Sequence, residues 1–314
     1  MKLPVAPVFI FLFMYFSVAA QPGKPSSVLP KEQEVIDLWK DKMPDQGGAR
    51  GPEMVSDKGS VTHLSKPRLI VHRPENPNGT AVLVISGGGY AHIELGKEST
   101  PAAAWLQSQG VTAFELMYRL PQEGWPSANV PFEDAQRAVR LIRSIAVSYG
   151  VDPHKTGILG FSAGGHLAGI TATLFDKKFY EPVDSIDSVS ARPDFTGLIY
   201  PVISMLPPNN RTHSLRSILG SHPTLKEETD FSVEKQVTQD TPPAFLAHAA
   251  DDPVSPVANS YLMEASLKNA GVPVEMHIFK TGGHGWGLGK PGSEVAQWPE
   301  LFKSWAQRNG FWRK

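Results

Sequence analysis

Lys155-Thr156-Gly157-Ile158-Leu159-Gly160-Phe161-Ser162-Ala163-Gly164-Gly165-His166 is the stretch whose reading decides the fold. Residues 155–159 predict a short buried strand, and the small apolar run from Leu167 to Leu174 predicts a helix. Between them lies a G-x-S-x-G pattern in the strand–turn–helix setting that this pattern requires. Gly160 and Gly164 flank the serine because a tight turn leaves no room for a Cβ where strand and helix converge. The serine is held at the tip with its hydroxyl pushed outward, which makes Ser162 the candidate nucleophile.

The same alternation extends in both directions. Upstream, Leu69–His72 and the continuous apolar run Ala81–Ile85 predict strands, the latter typical of a central parallel strand. Thr100–Ser108 predicts a helix capped by Ser99 or Thr100, and Val111–Leu116 a further strand. Val130–Tyr149 predicts the longest helix, with a stripe at Ala135, Ala138, Val139, Leu141, Ile142 and Ile145 and with Arg137, Arg140 and Arg143 off that stripe. Downstream, strands are expected at residues 197–200, 244–247 and 274–278, and helices at 257–270 and 293–308. Repeated strand–helix alternation predicts an α/β fold: a doubly wound, mostly parallel sheet with helices on both faces. Residues 204–241 are polar, proline-containing and irregular, as expected of a small cap insertion.

Composition narrows the function classes. The chain has 314 residues, of which 41% are apolar and 19% charged, enough for a sizeable core. A formal charge of −1 gives no electrostatic case for nucleic acid or an anionic membrane as partner. Cysteine is absent, which excludes disulfides, cysteine-based zinc sites and a thiol nucleophile. Met1-Lys2 followed by the apolar run Val8–Val18 and the small residues Val18-Ala19-Ala20 predicts a signal peptide over residues 1–20, and hence a secreted or periplasmic protein. A retained anchor is the alternative. Residues 21–66, rich in Pro, Gly and charge, are expected to be an extended lead-in docked through Ile36-Asp37-Leu38-Trp39, and residues 67–314 the catalytic domain.

A serine needs a base to take its proton and a carboxylate to hold that base. His284, in the glycine-rich Thr281-Gly282-Gly283-His284-Gly285-Trp286-Gly287 after a late strand, is the candidate base. His166 and His248 read as structural. The carboxylate lies in Ala249-Ala250-Asp251-Asp252-Pro253-Val254, where either Asp251 or Asp252 could serve, the other being a solvated or turn-forming acid. Oxyanion donors are expected in Ser86-Gly87-Gly88-Gly89-Tyr90, after the central strand, and at the Ala163 N–H. No HExxH or clustered His–carboxylate set is present, so neither metal nor cofactor is expected.

With these residues in view, the chain resembles an esterase of the α/β-hydrolase superfamily, in the group that contains acetylxylan esterases and BD-FAE or hormone-sensitive-lipase-like enzymes. The resemblance covers residues 66–310 and rests on Ser86–Tyr90, Tyr118-Arg119-Leu120, Asp134–Ala138, the serine turn, His248–Val254 and Gly283-His284-Gly285. It implies Asp252 rather than Asp251 as the acid, and Gly88, Gly89 and Ala163 as oxyanion donors. It implies structural support from Tyr118 and Arg119. Ser86 stands where relatives usually carry proline or histidine. The expected substrate is a short acyl ester, most simply acetyl on a plant polysaccharide such as xylan, with Tyr90 and Trp286 as candidate substrate contacts. An exopeptidase of prolyl-oligopeptidase type and an inactive binding protein on the same scaffold are the rival readings.

Overall fold

The computed structural model describes Met1 and residues 33–40, 42–209 and 211–313. The rest of the expected signal peptide lies outside the described residues, as does the lead-in before residue 33. In chain order the first elements are β1 (Glu34–Asp37), β2 (Met54–Val55), β3 (Ser60–Thr62), β4 (Arg68–His72), β5 (Ala81–Ile85) and β6 (Ile93–Glu94). Next come α1 (Thr100–Ser108), β7 (Thr112–Met117), α2 (Val130–Ile145), β8 (Thr156–Phe161), α3 (Ala163–Thr173) and β9 (Phe195–Ile199). The chain closes with α4 (His213–Leu219), α5 (Leu225–Asp230), β10 (Ala244–Ala249), α6 (Ala258–Asn269), β11 (Val274–Phe279) and α7 (Trp298–Arg308).

Among the described residues the main sheet runs β1-β4-β7-β5-β8-β9-β10-β11, and β2-β3-β6 form a small second sheet. From β7 to β11 every pairing is parallel; β4 is antiparallel to β7 and β1 antiparallel to β4. Strand alternation divides the core into two layers. Leu83 and Ile85 of β5 join the cluster built from α2, α3 and α6, while Val82 and Val84 join the one built from α1 and α7. The expected doubly wound α/β architecture is the observed one. Parallel strands direct all their C-terminal ends to one edge of the sheet, and the loops leaving β5, β8, β10 and β11 meet there.

Four details differ from the expectations. Part of the lead-in is not merely laid on the surface: Glu34–Asp37 pairs with β4 and extends the main sheet. Arg137, off the apolar stripe of α2, is buried nonetheless, because its guanidinium reaches Asp184 at 2.6 Å and Asp187 at 3.0 Å and donates to Leu38 O at 2.9 Å. The cap is not irregular but carries α4 and α5. Thr212 Oγ1 accepts from Leu215 N to start α4, and a Thr224–Glu227 capping box starts α5. Ser99 does not cap α1; its hydroxyl donates to Glu115 at 2.5 Å instead.

Arg119 and Asp134 clamp the lead-in to the body. Both are fully buried, with Arg119 Nη2 2.8 Å from Asp134 Oδ1 and 2.8 Å from Glu133 Oε2. Trp39 Nε1 donates to Asp134 Oδ1 at 2.8 Å, and Arg119 Nη1 donates to Pro44 O at 2.8 Å. Asp134→Ala leaves a buried guanidinium short of its main partner, so a loss of about 3–5 kcal/mol is expected in urea unfolding. A loss under about 1 kcal/mol would mean that Glu133 alone can hold Arg119.

Candidate active site

Ser162 sits between β8 and α3 with φ of +51° and ψ of −118°, a left-handed conformation unusual for a residue with a side chain. The close approach of strand and helix sustains it. A Cβ on Gly164 would come within 2.5 Å of Ser86 O, and one on Gly160 within 2.8 Å of Ala168 Cβ, so both positions need glycine. The Ser162 N–H is tied to Ile199 O at 3.1 Å, which fixes the turn to β9.

Three side chains from separate elements meet at this turn. Ser162 Oγ lies 2.8 Å from His284 Nε2, and His284 Nδ1 lies 2.6 Å from Asp252 Oδ2. A carboxylate only accepts, so Nδ1 carries the imidazole proton and Nε2 is left as acceptor for the serine hydroxyl. Burial would raise the Asp252 carboxyl, but hydrogen bonds from His248 and His284, with the charge of His284, hold it down at about 2. Its other oxygen accepts the N–H groups of Val254 at 2.8 Å and Ser255 at 2.9 Å. His248 Nε2 donates to Ser255 O at 2.8 Å and stands 3.3 Å from Asp252 Oδ2, so this histidine braces the acid from behind. Asp251 points elsewhere: its Oδ1 accepts from Gly282 N at 2.9 Å and Gly283 N at 2.8 Å, propping the loop that carries His284.

Backbone donors face the same point. Gly88 and Gly89 have φ of +111° and +64° and line the cavity beside Ser162. Neither N–H has a partner among the described residues, whereas Gly87 N–H is taken by Glu98 Oε2 at 2.6 Å. Ala163 opens α3, and a first-turn N–H has no intrahelical acceptor. Ser86 holds the loop by its side chain: Oγ donates to Glu94 O at 3.0 Å and accepts Ser99 N–H at 3.1 Å. Tyr118 OH donates to Ser86 O at 3.0 Å.

The cavity has a volume of about 410 Å³ and opens over Ser162 and His284. Val202 and Val254 give it an apolar side, while His92, Lys97, Thr212 and His213 give it a polar one. Two expected substrate contacts are not on it. Tyr90 is fully buried, with its hydroxyl 2.8 Å from His166 Nδ1 and its ring against Tyr118 and Phe132, so it supports the site from below. Trp286 packs into its own loop against Tyr200 at 4.5 Å and Phe279 at 6.3 Å, because the turn at Gly285 directs the indole back to the core. Residues that sequence reasoning missed stand in their place: His213 on the cap and Glu98 line the cavity, and Tyr200 lies behind Glu98. Tyr200 follows β9 at the C-terminal edge of the sheet, a positional signal for α/β sites, but Glu98 had none. Among the described residues no group of three or more His, Asp or Glu side chains is arranged to hold a metal ion, and no helix is long and apolar enough to cross a membrane.

A family model described as BD-FAE matches residues 69–267. Endo-1,4-beta-xylanase B of Butyrivibrio fibrisolvens is 41% identical over 207 residues, covering 65% of this chain and 32% of that protein. Acetylxylan esterase of Xylanibacter ruminicola is 33% identical over 228 residues, covering 71% of this chain and 44% of that protein. The chain therefore spans less than half the length of either relative. Among solved structures, an acetyl ester-xyloside bifunctional hydrolase from Caldicellulosiruptor lactoaceticus superposes with a TM-score of 0.78 at 34% identity, over 92% of this chain and 100% of that one.

Proposed function

The chain belongs to the BD-FAE family of α/β-hydrolases, and we propose that it is a serine carboxylesterase that removes short acyl groups, above all acetyl, from a xylan-type polysaccharide outside the cytoplasm. The observation that carries this reading is the continuous Ser162–His284–Asp252 relay opening into a cavity beside unpartnered backbone N–H groups. Ser162 Oγ attacks the ester carbonyl while His284 Nε2 takes its proton. Asp252 holds the imidazole in the required tautomer and stabilises the imidazolium. The N–H groups of Gly88, Gly89 and Ala163 bind the oxyanion, each worth about 3 kcal/mol of barrier in comparable sites. His284 then protonates the departing sugar oxygen, and a water activated by the same nitrogen cleaves the acyl-enzyme.

Support for a short acyl group comes from the cap. Leu215 and Ile218 of α4 are buried against the body, and α5 is a charged helix, so the cap offers no broad apolar face for an oil surface. The polar wall suits a hydrated sugar. The xylan-related names of the relatives point to the same substrate. Acetyl esters are expected to have kcat/KM well above octanoyl esters, and acetylated xylan is expected to release acetate. Faster hydrolysis of octanoyl than of acetyl esters would defeat the polysaccharide-deacetylating reading.

A further inference from the structure

We infer that Glu98, acting through Gly87 and Tyr200, is a positioning residue that locks the oxyanion loop to the loop carrying His284. This rests on the esterase reading above and deepens it. Glu98 is buried in the wall of the cavity, a costly place for a carboxyl unless each oxygen has a partner. Both have one. Oε2 accepts Gly87 N–H at 2.6 Å, one residue before the proposed oxyanion donors. Oε1 accepts the Tyr200 hydroxyl at 3.0 Å, and that hydroxyl in turn accepts Gly287 N–H at 3.0 Å, three residues after the base.

One carboxylate thus joins two loops that are far apart in sequence and must hold a fixed relation for the reaction. The Tyr200 ring also stands edge-to-face to His284, with centroids 5.0 Å apart. The geometry at Gly87 leaves no slack: a Cβ there would lie 2.8 Å from Ser162 Cβ, so a shift of this loop is a shift against the serine.

Charge adds a second handle. Burial pushes the Glu98 carboxyl up to about 7, against the Gly87 N–H, the Tyr200 hydroxyl and the charge of His284, with Glu94 raising it further. Tyr118, just past the end of β7, faces it as well, Asp252 acts on Tyr200, and Lys97 lines the same cavity. The charge of His284 thus reaches the Glu98 carboxyl, so the two loops are coupled electrostatically as well as by hydrogen bonds.

The test uses the full chain with 4-nitrophenyl acetate. Glu98→Gln is expected to lower kcat about 10- to 100-fold with KM within about threefold of wild type. Tyr200→Phe is expected to lower kcat in the same way, and the double variant to lose no more than about twice what the worse single variant loses, since both cut one connection. Unchanged kcat in both single variants, losses that multiply in the double variant, or a loss carried by KM alone would each overturn the inference. Should Glu98→Gln not fold, Tyr200→Phe decides alone, by the kcat-against-KM split. An inactive wild type would defeat the esterase reading and this inference with it. An active wild type whose variants keep full kcat overturns only the inference.

Discussion

Ser162→Ala is expected to lower kcat for 4-nitrophenyl acetate about 10⁶-fold, the scale seen when the nucleophile of a comparable relay is removed. The fold should survive. Alanine carries the same Cβ at the same positive φ as serine, and among the described residues the only side-chain hydrogen bond it removes is the one to His284 Nε2. Gly160 and Gly164 still permit the strand–helix approach, so the unfolding midpoint is expected to stay close to wild type. Kinetics and urea unfolding on the same preparation separate a lost nucleophile from a lost fold. Turnover within about tenfold of wild type, in a folded protein, would remove Ser162 from the mechanism.

Asp252→Asn carries the second large effect, and the geometry says why. Asp252 Oδ1 is held by the N–H groups of Val254 and Ser255, both of which demand an acceptor. An asparagine must therefore place its oxygen there and turn its NH₂ group toward His284 Nδ1. That donor forces Nδ1 to become an acceptor and puts the proton on Nε2, where it blocks transfer from Ser162. A comparable change lowers kcat about 10⁴-fold in another serine hydrolase, and the same order is expected here. Asp251→Asn should be mild, since its amide oxygen can still accept from Gly282 and Gly283. The opposite ranking in kcat/KM would move the acid to Asp251.

The sequence alone determined whatever is local in the chain. A strand, a glycine-flanked serine and a helix within twenty residues specify the turn at Ser162, because the crowding that demands glycine at 160 and 164 arises between near neighbours. Strand–helix alternation specified the doubly wound sheet, and parallel pairing then brought the strand ends of β5, β8, β10 and β11 to one edge. Most element boundaries were legible to within two residues, since periodicity and breakers are read along the chain.

Only the tertiary structure decided what depends on direction across space. Asp251 and Asp252 are adjacent in sequence, yet one faces the glycine loop and the other faces the imidazole, because the turn after β10 points neighbouring side chains apart. Tyr90 and Trp286 carry attractive chemistry next to the right residues, but their rings turn into the core, where burying a large aromatic surface is worth more than a place at the cavity. The lead-in segment at Glu34–Asp37 became a strand because the edge of β4 offered unpaired backbone groups, which no local pattern announces. Glu98 and Tyr200 were invisible for the same reason. Their meeting requires the chain after β5 and the chain after β9 to be packed together, and a contact across 102 residues leaves no periodic trace in either segment.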